Sequence, residues 1–129
     1  MKLSMIDPKK LLHIEGFSKR RVAWLKKKVL SEKVWTKPLA IDKKHMLVMD
    51  GQHRMEVALA LGLARVPCEL FSYDEVEVWS LRPRSHDVSA EVLIERSLRG
   101  DIYPYKTAKH RFPRELSEIS IPLDKLRKS

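Results

Sequence analysis

The chain has 129 residues, of which 33% are charged and 43% hydrophobic, and its formal net charge is +9. This length suits one domain with a modest core, and no apolar run is long enough for a membrane span or a signal peptide. The single cysteine, Cys68, excludes an internal disulfide and favours a reducing, cytoplasmic compartment. The positive charge favours an anionic partner, either a phosphorylated small molecule or a nucleic acid, although the tail residues Lys125, Arg127 and Lys128 are expected to be solvated.

The N-terminal third of the chain predicts a strand followed by a helix. Residues 11–14 are mainly apolar and can pack as a first strand. Ser18 is a suitable N-cap for a helix from Lys19 to about Leu30, with Trp24 at the border of its apolar face. Residues 32–37 are interpreted as a connection to the next strand.

The centre of the chain predicts a hairpin that leads into a second helix. Pro38 to Asp42 is typical of a strand, Asp42 to His45 of a hairpin turn, and Leu47 to Met49 of a short buried strand. Met55 to Leu61 is built from good helix formers, and Gly62 is placed to end the helix.

The turn between that strand and that helix has the features of a phosphate-binding site. Gly51 permits a backbone bend that a Cβ would hinder. The first helical turn would carry Gln52, His53 and Arg54, so free N–H groups, the helix N-terminus and two basic side chains would converge there. Asp50 adds a carboxylate at the edge. An ordinary βα turn with a polar first helical turn is the alternative interpretation of these five residues.

The C-terminal half predicts a strand, a helix and a closing strand. Val66 to Phe71 is typical of a strand, and residues 74–79 of either an edge strand or an amphipathic surface piece. Ser89 is placed to cap a helix from Ala90 to Arg99, with Leu98 on its buried face. Residues 101–110 then form a dense polar segment, interpreted as a functional loop, and Glu118 to Leu123 a short closing strand.

Two motifs, taken in order, resemble one protein family. Asp50 to Arg54 reads Asp-Gly-Gln-His-Arg and is similar to the Asp-Gly-His-His-Arg turn of the free L-serine kinases, which have a ParB N-terminal/sulfiredoxin-like fold. Pro104 to His110 reads Pro-Tyr-Lys-Thr-Ala-Lys-His and resembles that family's Pro-Pro-Lys-Thr-Thr-Arg-His segment. The resemblance extends from about Leu11 to Leu123. It implies an α+β fold over residues 1–129, a single small domain with a mixed sheet packed with helices.

The resemblance also implies a reaction and a set of site residues. The reaction is phosphoryl transfer from ATP or ADP, with Mg²⁺, to the hydroxyl of free L-serine, which gives O-phospho-L-serine. Glu15 best matches the family's general base, and Asp50 matches its aspartate. The phosphate-binding turn corresponds to Gly51, Gln52, His53 and Arg54. The candidates for contacts with serine are Lys106, Thr107, His110 and, less closely matched, Trp79.

This chain departs from the family's pattern at Gln52, Ala108 and Lys109, which stand where the family has histidine, threonine and arginine. The acceptor is therefore serine or a related small hydroxyl compound. The alternative function is a ParB-type DNA-binding or nucleotide-sensing module without kinase activity, although the central turn lacks the Glu-Arg-Arg sequence typical of the ParB branch. The other histidines show no metal-ligand spacing, so metal ligands remain unassigned.

Overall fold

The structure is a computed structural model that describes residues 2–127, so Lys128 lies outside the described residues. Its strands in chain order are β1 (Ser4–Ile6), β2 (Val34–Trp35), β3 (Leu39–Asp42), β4 (Leu47–Asp50), β5 (Val66–Phe71), β6 (Glu77–Ser80), β7 (Ala108–Arg111) and β8 (Ile121–Pro122). Its helices are α1 (Lys19–Glu32), α2 (Gln52–Ala60), α3 (Ala90–Leu98) and α4 (Leu123–Leu126), with a 3-10 turn at Pro8–Lys10.

A mixed sheet in the order β1-β5-β3-β4 forms the centre of the fold. β3 runs parallel to β5, whereas β1 and β4 pair antiparallel with their neighbours. Two smaller antiparallel pairs, β2 with β8 and β6 with β7, lie outside this sheet. The α+β architecture with a mixed sheet, which the sequence resemblance implied, is confirmed.

The core forms where α2 packs on the buried face of the sheet. All four residues of β3 are buried, and Ile41, Val48, Val57 and Val66 are fully inaccessible to solvent. α1 packs against α2 through partly buried side chains, and among the described residues of α1 none is fully buried. Burial of these aliphatic side chains fixes the positions of β4 and α2, and therefore of the turn that joins them.

Several local predictions are confirmed. Ser18 caps α1 by accepting a hydrogen bond from Arg21 N at 3.1 Å, and Ser89 caps α3 by accepting one from Val92 N at 3.2 Å. α2 begins at Gln52 after Gly51, and Gly62 follows its end with φ +64°. Strands β3, β4 and β5 lie where the apolar runs predict them.

The prediction of a first strand at residues 11–14 is wrong. The first strand is β1, and Leu12 forms one isolated parallel bridge with Leu47. The prediction of a plain connection at residues 32–37 is also wrong, since this segment contains β2. Trp24 lies well outside the apolar face of α1, with 58% of its surface exposed.

The C-terminal half differs from the prediction in three places. The segment predicted as a loop ends in a strand, because β7 begins at Ala108 and pairs with β6. The closing strand is confined to β8, and Leu123 already belongs to α4. Leu98 is 52% exposed, whereas Ser97 is buried and donates to Leu93 O at 2.7 Å. No helix within residues 2–127 has the length and apolar character needed to cross a membrane.

The β4–α2 turn depends on Gly51, which has φ +115°. A Cβ at this position would stand 2.9 Å from Leu39 Cγ and 3.1 Å from Arg54 Nη2. Gly51→Ala should therefore lower the free energy of unfolding by about 2 kcal/mol or more, through backbone strain and steric overlap together.

Gly62→Ala is the matched control for this prediction. Gly62 also has positive φ, but a Cβ there would meet nothing within 4 Å. Gly62→Ala should therefore lower the free energy of unfolding only by the left-handed backbone strain, about 1 kcal/mol. Urea unfolding of both variants measures the difference, and equal losses would show that the contacts around Gly51 are not restrictive.

Candidate functional site

An open cleft of about 750 Å³ lies where β4 ends and α2 begins. Most of the site residues that the sequence predicts line this cleft: Glu15, Asp50, Gly51, Gln52, His53, Arg54, Lys106 and His110. Thr107 and Trp79 are not among its lining residues. Basic side chains that sequence reasoning missed, Arg21 and Lys37, also line it, so the cleft favours an anionic ligand.

The first turn of α2 presents free backbone N–H groups to the cleft. Gly51 provides no side-chain cap, and the first hydrogen bond of the helix runs from Met55 N to Gly51 O at 2.8 Å. The N–H groups of residues 52–54 therefore have no acceptor within the helix. This arrangement can bind a phosphate through the backbone and the helix dipole.

Arg54 is held inside the fold rather than extended into solvent. Its side chain is 14% exposed, and Nη1 donates to Pro38 O at 2.6 Å and to Lys37 O at 3.3 Å. Nη2 lies 3.5 Å from Asp50 Oδ2, and the Asp50 side chain is 46% exposed. Arg54 thus joins the start of β3 to the end of β4, and it directs its remaining positive charge toward the cleft.

His53 is a neutral hydrogen-bond acceptor, which corrects the expectation of a second cation in this turn. Its Nε2 accepts a hydrogen bond from Ser18 N at 3.0 Å, so the ring proton lies on Nδ1. Burial lowers the pKa of His53, and the nearby charges of Arg21, His13 and Arg54 lower it further. His53 can therefore donate to a ligand as a neutral group.

The side chain of Gln52 points inward, to a residue that the sequence did not single out for the site. Its Nε2 donates to Val48 O at 2.6 Å, and its Oε1 lies 2.6 Å from His13 Nδ1. Gln52 can therefore bind a phosphate in the cleft through its backbone N–H and not through its side-chain amide. No local signal in the sequence pairs His13 with Gln52, because the two residues are far apart in the chain.

Glu15 also lines the cleft and is held by the segment that leads into β7. Its Oε1 accepts from Ala108 N at 2.9 Å, and its Oε2 accepts from Lys106 N at 3.2 Å. Burial raises the pKa of Glu15 above 4.5, although the backbone N–H groups and Arg82 oppose this shift. A partly buried carboxylate with a raised pKa is suited to accept a proton at neutral pH.

The remaining candidate residues fall on different sides of the β6–β7 pair. His110 faces the cleft; burial lowers its pKa to about 4, and its Nε2 lies 2.8 Å from the Tyr73 hydroxyl. Thr107 is fully buried and donates to Pro104 O at 2.6 Å, while Trp79 pairs with Lys109 in the β6–β7 ladder and is 41% exposed. Of the residues predicted to contact serine, Lys106 and His110 therefore line the cleft; Tyr105, Ala108 and Lys109 of the same segment line it as well.

A second cavity of about 980 Å³ adjoins the cleft and shares Lys37, Asp50 and Phe112 with it. Residues 112–119 form its wall. Glu69, fully buried on β5, anchors this wall by accepting a hydrogen bond from Ser117 N at 2.9 Å, and its Oε1 lies 3.5 Å from Arg114 Nη2. The two spaces meet at Asp50, so one ligand can extend from the first into the second.

Solved structures share this fold. A free serine kinase in complex with AMP matches with a TM-score of 0.85 at 15% sequence identity, over 96% of this chain and 93% of that chain. A glutamate-to-alanine variant of free serine kinase in complex with ADP matches with a TM-score of 0.86, over 98% of this chain and 94% of that chain, at 15% identity. The chain has the fold of the free serine kinases. C-terminally truncated SbnI from Staphylococcus aureus shares the free serine kinase fold as well, with a TM-score of 0.86 at 12% identity, over 98% of this chain and 89% of that chain.

Similarity at the level of sequence is limited to a short segment. A ParB-like protein from Sulfolobus acidocaldarius is 37% identical over 41 residues, which are 32% of this chain and 21% of that protein. The matched segment thus spans about a fifth of that protein's length. No protein-family model matches the chain.

The residues present fit a magnesium ion held jointly with a nucleotide. Within residues 2–127, no group of three His, Cys, Asp or Glu side chains forms a protein-only metal cage. Mg²⁺ with a nucleotide commonly uses one or two carboxylates together with phosphates and water. Asp50 meets that requirement, since it is half-exposed and borders both the cleft and the second cavity.

Arg54→Lys should destabilise the fold by about 1–3 kcal/mol, because one ammonium cannot reach both carbonyls and Asp50 in the planar geometry of a guanidinium. Urea unfolding measures the loss. Arg65→Lys is the control, since Arg65 Nη2 also donates to a carbonyl, that of Lys125, but at the surface. Equal, small effects of the two substitutions would contradict a structural role for Arg54.

Proposed function

We propose that the chain is a kinase that transfers a phosphoryl group from ATP or ADP to the hydroxyl of free L-serine, or a related small hydroxyl compound, and that the product with serine is O-phospho-L-serine. The observation that carries the proposal is that Glu15 and the Gly51–Arg54 turn line the same cleft. A base and a phosphate-binding helix N-terminus at one cleft are what phosphoryl transfer to a hydroxyl requires. Likeness in fold to a free serine kinase in complex with AMP supports the same function. A cytoplasmic location belongs to the proposal.

In this proposal the nucleotide phosphates bind at the first turn of α2. The N–H groups of residues 52–54 and the Nδ1–H of His53 donate to phosphate oxygens, and Arg54 supplies positive charge from within the fold. Asp50 would hold Mg²⁺ together with the phosphates, and the bound ion would neutralise charge on them. The second cavity has room for the nucleoside. It adjoins the cleft at Asp50, so a nucleotide with its phosphates in the cleft can place its nucleoside there.

The acceptor binds on the other side of Asp50. Glu15 accepts the proton of the serine hydroxyl as the hydroxyl oxygen attacks the terminal phosphorus. The bond from that phosphorus to the bridging oxygen breaks, so ATP leaves as ADP, or ADP as AMP. The raised pKa of Glu15 makes it a better base than an exposed glutamate. Lys106 can bind the carboxylate of serine, and neutral His110 can hydrogen-bond to the acceptor. Thr107 supports the turn that carries Lys106, since its hydroxyl already binds Pro104 O.

A nucleic-acid-binding function is the second candidate, and the basic surface of α1 favours it. Lys19, Arg20, Arg21, Lys27 and Lys28 are exposed along this helix. The short match to a ParB-like protein agrees with this candidate.

Glu15→Gln should lower the rate of transfer to serine by about 10²–10⁴-fold, because a positioned general base is lost. Mass spectrometry of O-phosphoserine, formed from ATP or ADP with Mg²⁺, measures the rate. In the unsubstituted protein the rate should fall on acidification at a pH above that of an exposed glutamate, because Glu15 acts when deprotonated and its pKa is raised. This acidic limb should disappear in the variant.

Glu15→Gln should also cost about 1–2 kcal/mol of stability, since glutamine offers one acceptor oxygen to two backbone N–H groups. Asp50→Asn is the comparison variant and should weaken both nucleotide binding and rate. Glu15→Gln should leave nucleotide affinity unchanged. Near-normal turnover in the folded Glu15→Gln protein would show that Glu15 is not the general base and would leave Asp50 as the candidate.

Duplex DNA should bind weakly and without sequence preference, and its affinity should fall steeply as salt rises, because phosphate contacts release counterions. Fluorescence anisotropy with labelled duplexes at several salt concentrations tests this. A sequence-specific dissociation constant on the order of nanomolar at physiological salt would rank DNA binding above the kinase.

A further inference from the structure

Two contacts join His13 to the helix that begins at the phosphate-binding turn. His13 Nδ1 lies 2.6 Å from Gln52 Oε1, and His13 Nε2 lies 2.7 Å from Glu56 Oε2. The side chains of His13 and Glu56 are 17% and 27% exposed, so water screens their interaction only in part. We propose that His13 is a positioning residue, which holds the segment carrying Glu15 at a fixed distance from the phosphate-binding turn. This proposal rests on the proposed function.

The hydrogen-bond pattern fixes the direction of the contact between His13 and Gln52. Gln52 Nε2 donates to Val48 O at 2.6 Å, so Gln52 Oε1 must be the acceptor toward His13. His13 Nδ1 therefore carries a proton. The second contact joins His13 Nε2 to Glu56 Oε2 at 2.7 Å, so both ring nitrogens of His13 are engaged by side chains of α2.

The segment from His13 to Ser18 is attached to α2 at both of its ends. His13 makes the first attachment, and the second is the hydrogen bond from Ser18 N to His53 Nε2 at 3.0 Å. Between them, Glu15 binds the start of β7 through both carboxylate oxygens. The base is thus located relative to the donor site on one side and to Lys106 on the other.

The fold has an apolar anchor for this segment that is independent of His13. Ile14 is 1% exposed and packs with Leu47, Leu93 and Tyr103. Nonpolar packing keeps the segment on the core but does not fix its orientation, whereas hydrogen bonds at both ring nitrogens of His13 do. His13 therefore adds orientation at the site.

His13→Gln is the primary test, and Glu56→Gln is the milder second variant because it keeps the size and one acceptor oxygen. For both, we expect kcat for transfer to serine to fall, on the order of 10–100-fold for His13→Gln, while the KM for nucleotide stays unchanged. His45→Gln is the matched control, since His45 also pairs with a carboxylate, Asp42, at 3.1 Å, but outside the cleft. It should leave kcat unchanged.

Amide hydrogen exchange supplies a readout that does not depend on activity. The N–H groups of Lys106 and Ala108 donate to Glu15. In His13→Gln these two amides should exchange faster, measured relative to the amides of β3. In His45→Gln their exchange should be unchanged. Unchanged exchange in both His13→Gln and Glu56→Gln would overturn the proposal, as would faster exchange with unchanged kcat. If the unsubstituted protein transfers no phosphate, the proposed function fails, and the exchange result still decides whether His13 positions Glu15.

Discussion

The site depends on the guanidinium of Arg54 and its two carbonyl acceptors. By donating to Pro38 O and Lys37 O and facing Asp50, Arg54 joins the start of β3, the end of β4 and the first turn of α2. Burial lowers the pKa of this guanidinium, and the Asp50 carboxylate opposes the shift. Because Arg54 also lies against Gly51, a side chain at position 51 would crowd the guanidinium as well as strain the backbone.

Only part of the positive potential in the cleft comes from charged side chains. The two histidines that line it, His53 and His110, are neutral because burial disfavours their charged forms. Positive charge comes from Arg54, from lysines and Arg21 at the rim, and from the helix N-terminus. An anion would therefore meet fixed backbone donors first, which need no reorganisation when charge develops during phosphoryl transfer.

Sequence reasoning located the elements whose signals are local. Ser18 and Ser89 mark helix starts by their capping chemistry, and the apolar runs of β3 and β5 indicate buried strands. β2 has two residues and pairs only with β8, so it carries no pattern of its own, whereas β8 lies within the predicted closing strand. The same limit applies to the site: the Gly51 turn has a local signature, whereas the contact of His13 with Gln52 exists only in the folded chain. The position of Glu15 followed from family resemblance and not from any local pattern.

The anchoring of the second cavity by Glu69 has a consequence for the motions of this protein. Its wall, residues 112–119, is not a strand of the sheet; it is held by the contacts of Glu69 with Ser117 and Arg114, by apolar packing of Phe112 and Leu116, and by a hydrogen bond from Ile119 N to Thr36 O at 3.1 Å. Such a wall can detach while β3 and β5 keep all their hydrogen bonds, so its opening costs less than global unfolding. The cavity beside Asp50 can thus exchange its contents by a local opening that leaves the sheet folded.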